Sequence, residues 1–135
     1  MNILLDTHIA IWALLNSPKL TQKSRDLLED PDNTFYYSVV SVWEVMLKKT
    51  AHPESMDLSA DMFSDYCKKA GFVPLRLEEK HIFALRSFPS AVEGHKDPFD
   101  RMLLAQAMDN DLVLLTHDSK FKDINDRHVR YLALD

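Results

Sequence analysis

An aliphatic run, Ile3-Leu4-Leu5, stops abruptly at an acid, Asp6. That junction reads as a short buried strand with a carboxylate at its carboxyl end. In open parallel sheets ligands sit in the crevice outside the carboxyl ends of the strands, so an acid there is a candidate site residue. A plainer reading makes Asp6 the cap of a helix that begins near His8 or Ile9. Whether other acids reach the same place separates the two.

The rest of the chain alternates between helical and strand patterns. Residues 9–15, with Trp12, predict a buried helix broken by Ser17-Pro18, and residues 21–29 a second helix. Residues 35–40 are rich in aromatic and β-branched side chains and predict the second strand. Ser41 with Glu44 three positions on has the capping-box pattern, opening a helix that ends near Thr50. Ser59 or Asp61 starts an amphipathic helix through Met62, Phe63, Tyr66 and Cys67, which Gly71 ends in the left-handed position. Residues 72–77 predict a third strand and 78–88 a further helix. Asp97-Pro98-Phe99-Asp100 is a strong helix start, with Asp97 as cap and Pro98 at the first helical position. That helix runs to about Asn110, is apolar nearly all round, and is expected to be central. Residues 112–116 form the most apolar strand, residues 120–127 a charged loop or short helix, and residues 129–134 a last strand at an edge. The alternation predicts an α/β fold with a mainly parallel sheet.

A length of 135 residues predicts one domain, 1–135. Neither a leader nor a stretch long enough to span a bilayer is visible, which predicts a cytoplasmic protein without a membrane partner. Cys67 is the lone cysteine, which excludes an internal disulfide framework and a thiolate zinc cluster and leaves a half-buried packing role. The net charge of −5 lacks the basic footprint of a non-specific nucleic-acid binder. This counts against nucleic acid without excluding it, because acids gathered into one site and neutralised by metal can dominate the sum while basic patches survive elsewhere. Gly71 and Gly94 are the only glycines, so there is no phosphate loop and no dinucleotide fingerprint, and no GxSxG elbow occurs.

Four acids share one description. Asp6 and Asp118 follow strands, Glu44 lies in the first turn after one, and Asp100 opens the central helix. Their apolar neighbours make solvation hard, and a buried carboxylate without a partner costs several kcal/mol or so. No lysine or arginine is placed to pair with all four. Mg²⁺ or Mn²⁺ meets the need, because these ions take oxygen ligands, keep several waters and bind through a few carboxylates plus substrate phosphate. Carboxylates holding such ions are the equipment of phosphodiester hydrolysis. Each acid alone also has a structural reading: Asp97 an N-cap, Asp100 a dipole-favoured acid, Glu44 half of a capping box, Asp118 a turn residue. Four at equivalent places favour the joint metal reading. His8, His52, His81 and His128 read as structural or surface residues. His95, Lys96 and Arg101 read as solvated charge with a phosphate contact as the alternative, and Lys48-Lys49 and Lys68-Lys69 as solvated faces.

Leu4-Leu5-Asp6-Thr7-His8, the segment from Ser38 to Val45, the segment from His95 to Ala107 and Leu115-Thr116-His117-Asp118 together resemble a PIN domain, more narrowly the VapC type of toxin ribonuclease. The resemblance covers essentially the whole chain in order, and the segment around Asp100 is its most specific part. It implies a three-layer α/β/α domain, Mg²⁺- or Mn²⁺-dependent endonucleolytic cleavage of RNA, a homodimer, and neutralisation by a cognate VapB-like antitoxin. Asp6 and Asp100 would be the principal metal ligands, Glu44 would complete the triad, and Asp118 would bind a second metal or orient water. Thr116 matches a hydroxyl position near that acid, Asp97 falls behind the ligands or at the cap, and Arg101 is a substrate-positioning candidate. Relatives often carry a glycine where this chain has His52-Pro53-Glu54-Ser55. The alternative is a PIN-like scaffold that has lost catalysis and works through protein contacts.

Overall fold

Five short strands, β1 (Asn2–Leu5), β2 (Thr34–Ser38), β3 (Val73–Leu75), β4 (Val113–Thr116) and β5 (Val129–Tyr131), pair in parallel in the order β3-β2-β1-β4-β5. The computed structural model describes residues 1–88 and 96–134, so Gly94 and His95 lie outside the described residues. Helices α1 (Thr7–Leu14), α2 (Gln22–Glu29), α3 (Val39–Ala51), α4 (Ala60–Lys69), α5 (Glu79–Ala84) and α6 (Pro98–Asp109) connect and cover the strands. The chain works outward from β1 to β3 and then returns to lay β4 on the other side of β1. Connections therefore leave β1 and β4 in opposite directions, and the crevice beyond their carboxyl ends is the switch point where such sheets bind ligands.

Side chains alternate across the sheet as the pleat requires. Ile3, Leu5, Phe35, Tyr37 and Leu115 join Ile9 of α1, Val45 of α3 and Phe63 and Cys67 of α4 in one core. Leu4 and Leu114 face the other way, onto Val40 of α3 and Leu103, Leu104 and Ala107 of α6. The result is the expected helix–sheet–helix sandwich, with α6 central. Asp97 caps α6 through Phe99 N and Asp100 N, Gly71 takes the left-handed φ of 83° after α4, and β5 lies at an edge.

Several expected boundaries move. The second strand stops at Ser38, not Val40, and Ser38 rather than Ser41 caps α3: its Oγ accepts from Val40 N at 3.0 Å and donates to Gln106 Oε1 at 2.6 Å. This tertiary bond draws β-branched Val39 and Val40 into the helix against their strand preference. The capping box of Ser41 and Glu44 is thereby corrected, and both residues sit buried inside α3. The third strand shrinks to three residues, and the helix expected to reach Phe88 ends at Ala84, followed by a tight turn over Leu85–Ser87. Cys67 is fully buried, not half-buried, and burial pushes its thiol up to about 12. His81 is likewise fully buried; its Nδ1 accepts from Glu78 N and its Nε2 bonds Asn110 Oδ1 at 2.7 Å, tying α5 to the end of α6. Among the described residues no helix is long and apolar enough to cross a membrane.

Gln106 is the one polar residue in the buried stretch of α6. Besides taking the Ser38 hydroxyl, its Nε2 donates to Arg76 O at 3.1 Å. Gln106→Leu keeps the bulk and strands both partners, which is expected to cost about 1–3 kcal/mol in urea unfolding. A loss below about 0.5 kcal/mol would mean that the polar link is not what holds α6 to the start of α3.

Candidate active site

Asp6 follows the last residue of β1 and is the N-cap of α1, so it is both a strand-end acid and a helix cap. Its backbone N–H still belongs to the sheet, donating to Leu115 O at 3.0 Å. The buried carboxylate accepts from Thr7 N through Oδ1 at 2.8 Å and from Thr116 Oγ1 through Oδ2 at 2.7 Å. Thr116 Oγ1 in turn accepts from Asp118 N at 3.0 Å. One buried hydroxyl thus joins the acid after β1 to the acid after β4. Burial pushes the Asp6 carboxyl above its ordinary range; the Thr116 bond and the nearby His8 pull it back, and the charge of Glu44 pushes it up again.

Glu44 reaches this region from α3. Its Oε1 accepts from Thr7 Oγ1 at 2.6 Å and its Oε2 pairs with Lys48 Nζ at 2.7 Å. A threonine hydroxyl carries one proton, so in the 2.8 Å contact between Thr7 Oγ1 and Ser41 Oγ the serine donates. Thr7 therefore holds two acids at once, Asp6 by its amide and Glu44 by its hydroxyl. Thr7, Ser41 and Lys48 are the residues that sequence reasoning missed. The available signals were the place of Thr7 directly after the strand-end acid and of Lys48 one helical turn beyond Glu44. Lys48 is corrected from a solvated charge to the counter-ion of a buried glutamate. Lys49 changes too, since its Nζ donates to the carbonyls of Pro53 and Met56.

Asp100 is buried in the first turn of α6, with its N–H on Asp97 Oδ1 at 3.2 Å. Trp43, beside Glu44, meets Phe99, beside Asp100, edge to face at 5.0 Å, which sets the two acid-bearing turns next to each other. Trp43 and Met46, the neighbours of Glu44 in sequence, are half exposed. Arg101 places its guanidinium over the Phe88 ring at 5.1 Å and lines, with Lys96, Trp43 and Phe99, a cavity of about 320 Å³.

Asp118 is half-buried and accepts from Lys120 N at 2.9 Å, opening the turn Ser119–Phe121. It shares with Asp6 a cavity of about 260 Å³, lined also by His8, Trp12 and His117. His117 is buried and both its nitrogens are engaged. Nδ1 faces the Leu132 carbonyl and must carry the proton, which leaves Nε2 to accept from Ser24 Oγ at 3.0 Å. His8 is exposed at the cavity mouth.

Among the described residues no group of three or more His, Cys, Asp or Glu side chains stands ready to hold a metal ion. The groups brought together, the Asp6 and Glu44 carboxylates, are hard oxygen donors. Their mutual repulsion, which helps to raise Asp6, is the kind a cation relieves. This fits Mg²⁺, which binds through one or two carboxylates and keeps the rest of its shell for water and phosphate.

The sequence model of the PIN domain family matches residues 3–127. No curated protein matches the sequence. Among solved structures, the chain is similar to VapBC2 from Rickettsia felis bound to a DNA fragment of its promoter, at a TM-score of 0.67 and 16% identity over 100% of both chains. It is also similar to VapBC-1 from nontypeable Haemophilus influenzae, at 0.65 and 18% over 97% of this chain and 98% of that one. A toxin–antitoxin complex from Klebsiella pneumoniae aligns at 0.58 and 21%, over 95% of each chain.

The raised Asp6 carboxyl sets a sign for stability. A carboxyl whose folded-state pKa is raised favours the fold while protonated, and that benefit is lost as pH rises through the folded value. Asp6→Asn removes the charge and keeps the shape, with Thr116 Oγ1 turning from donor to acceptor. In chelator at pH 8 the variant is expected to melt above the parent by circular dichroism, and the gap is expected to narrow as pH falls. A variant that melts lower at pH 8 would show that the ionised carboxylate is not under strain.

Proposed function

The chain belongs to the PIN domain family, and from that premise we propose that it is a metal-dependent endoribonuclease, the toxin of a VapBC-like pair. The observation that carries this reading is the Asp6–Thr116–Asp118 link across the switch point, with a buried acid whose carboxyl is raised. PIN domains are generally nucleases, and the similar solved structures are toxin–antitoxin complexes, which supports a cognate antitoxin as partner. A cytoplasmic location and a homodimer complete the proposal.

In this reading Asp6, Glu44, Asp100 and Asp118 would hold Mg²⁺ or Mn²⁺. When bound, such an ion polarises the scissile phosphate and makes water a nucleophile at neutral pH. The protein's own part is positioning. Thr116 and the Thr7 amide fix both oxygens of Asp6, so its remaining lone pairs have set directions. Thr7 and Lys48 do the same for Glu44, and Lys48 offsets part of its charge. Asp97 sets the turn that presents Asp100. Asp118, the most open of the four, orients water for in-line attack. The water oxygen bonds to phosphorus as the bond to the departing ribose oxygen breaks, and one phosphodiester becomes a phosphate monoester and an alcohol.

Purified protein is expected to cut RNA with Mg²⁺ or Mn²⁺ and to stop when the metal is chelated. Asp6→Asn and Asp100→Asn are expected to lose about 100-fold or more, and Thr116→Val about 10- to 100-fold. Equal activity in all of them would sink the proposal. Metal at about 100 times its dissociation constant is expected to stabilise the wild type by about 2.7 kcal/mol. Asp6→Asn should forfeit most of that gain.

A further inference from the structure

Hydrolysis of a phosphodiester accounts for the acids, but not for what lies beside two of them. The cavity that Asp6 and Asp118 line is lined also by Trp12, His8 and Leu134. The indole and the leucine offer a phosphate no partner. We infer that this cavity receives one unpaired nucleobase of the RNA strand, stacked against Trp12; the inference rests on the ribonuclease reading above and adds a base site to it.

Trp12 is braced as a platform. One face stacks on His117, with ring centroids 5.7 Å apart and planes 30° from parallel. His117 is itself buried and pinned at both nitrogens by Leu132 and Ser24. An indole backed by an immobile imidazole is held in place before any ligand arrives, which lowers the entropic cost of stacking. His8 stands 6.1 Å from Trp12 at 52°, exposed, as a second and more adaptable wall.

Lys19 also bears on the same ring, with Nζ 5.8 Å from the centroid. Its exposed ammonium on a flexible stem is held weakly there, whereas bases stack firmly on aromatic rings. Size agrees with a single heterocycle, since about 260 Å³ is below the ~300–1,000 Å³ of sites that enclose drug-sized ligands. Trp12 also packs against the core, but a tryptophan needed only there has no reason to border an acid-bearing cavity. A base in an A-form duplex is stacked and paired and cannot enter, so the cavity selects unpaired strands.

Trp43→Phe leaves Trp12 as the only tryptophan and therefore as a fluorescence reporter. A 2′-O-methyl single-stranded pentamer is expected to quench it at concentrations about tenfold lower than the same sequence in duplex. In cleavage of single-stranded RNA, Trp12→Leu is expected to raise KM about tenfold with kcat little changed, Trp12→Phe to restore most of the loss, and His8→Ala to raise KM as well. No quenching by the pentamer, or an unchanged KM in folded Trp12→Leu, overturns the base site. Quenching without any cleavage supports the base site and removes the ribonuclease reading; cleavage without quenching does the reverse. If Trp12→Leu does not fold, the Trp43→Phe titration and His8→Ala decide the matter.

Discussion

A carboxylate shut away from water has to be held by something, and in this protein the holding of Asp6 organises its surroundings. Its two oxygens are taken by an amide at the start of α1 and by a hydroxyl at the end of β4. The amide belongs to Thr7, whose own hydroxyl holds Glu44 on α3, and Glu44 holds Lys48. Strand, helix and neighbouring strand are thus locked through a chain of polar contacts with few spare donors or acceptors. Buried networks of this kind are stable when every member is satisfied and costly when one is lost. Glu44 and Asp6 nonetheless remain close enough to repel, and that residual tension is what a cation would relieve.

The parallel sheet makes the arrangement possible. Strands β1 and β4 lie side by side with Leu5 opposite Leu115, so residues that follow them emerge on one rim. The helix that leaves β2 returns across the same end and brings Glu44 with it. Both faces of the sheet are covered by apolar side chains, which keeps the rim dry enough for these bonds to matter. Site and core are therefore two consequences of one topology.

Local signals in the sequence were read correctly where their physics is local. Asp97-Pro98 set the start of α6, Gly71 ended α4, and short aliphatic runs marked β1 and β4. Reading failed where a residue's role depends on a partner far along the chain. Ser38 caps α3 because Gln106, 68 positions away, holds its hydroxyl. Ser41 three residues later has the better capping-box pattern and loses. Thr7 and Lys48 looked ordinary because their meaning is a glutamate brought in by folding. Of the hydroxyls around the acids, Thr116 was singled out through the resemblance, whereas Thr7 and Ser41 were not.

The bond between Thr116 and Asp6 spans 110 positions. Asp6 emerges early in synthesis, but its partner is added, at about 5–20 residues per second, roughly 5–20 s later. Until then β1 lacks β4 beside it, and the Asp6 carboxylate lacks the hydroxyl that orients one of its oxygens. Strand order alone therefore sets a delay between the appearance of Asp6 and the completion of its surroundings.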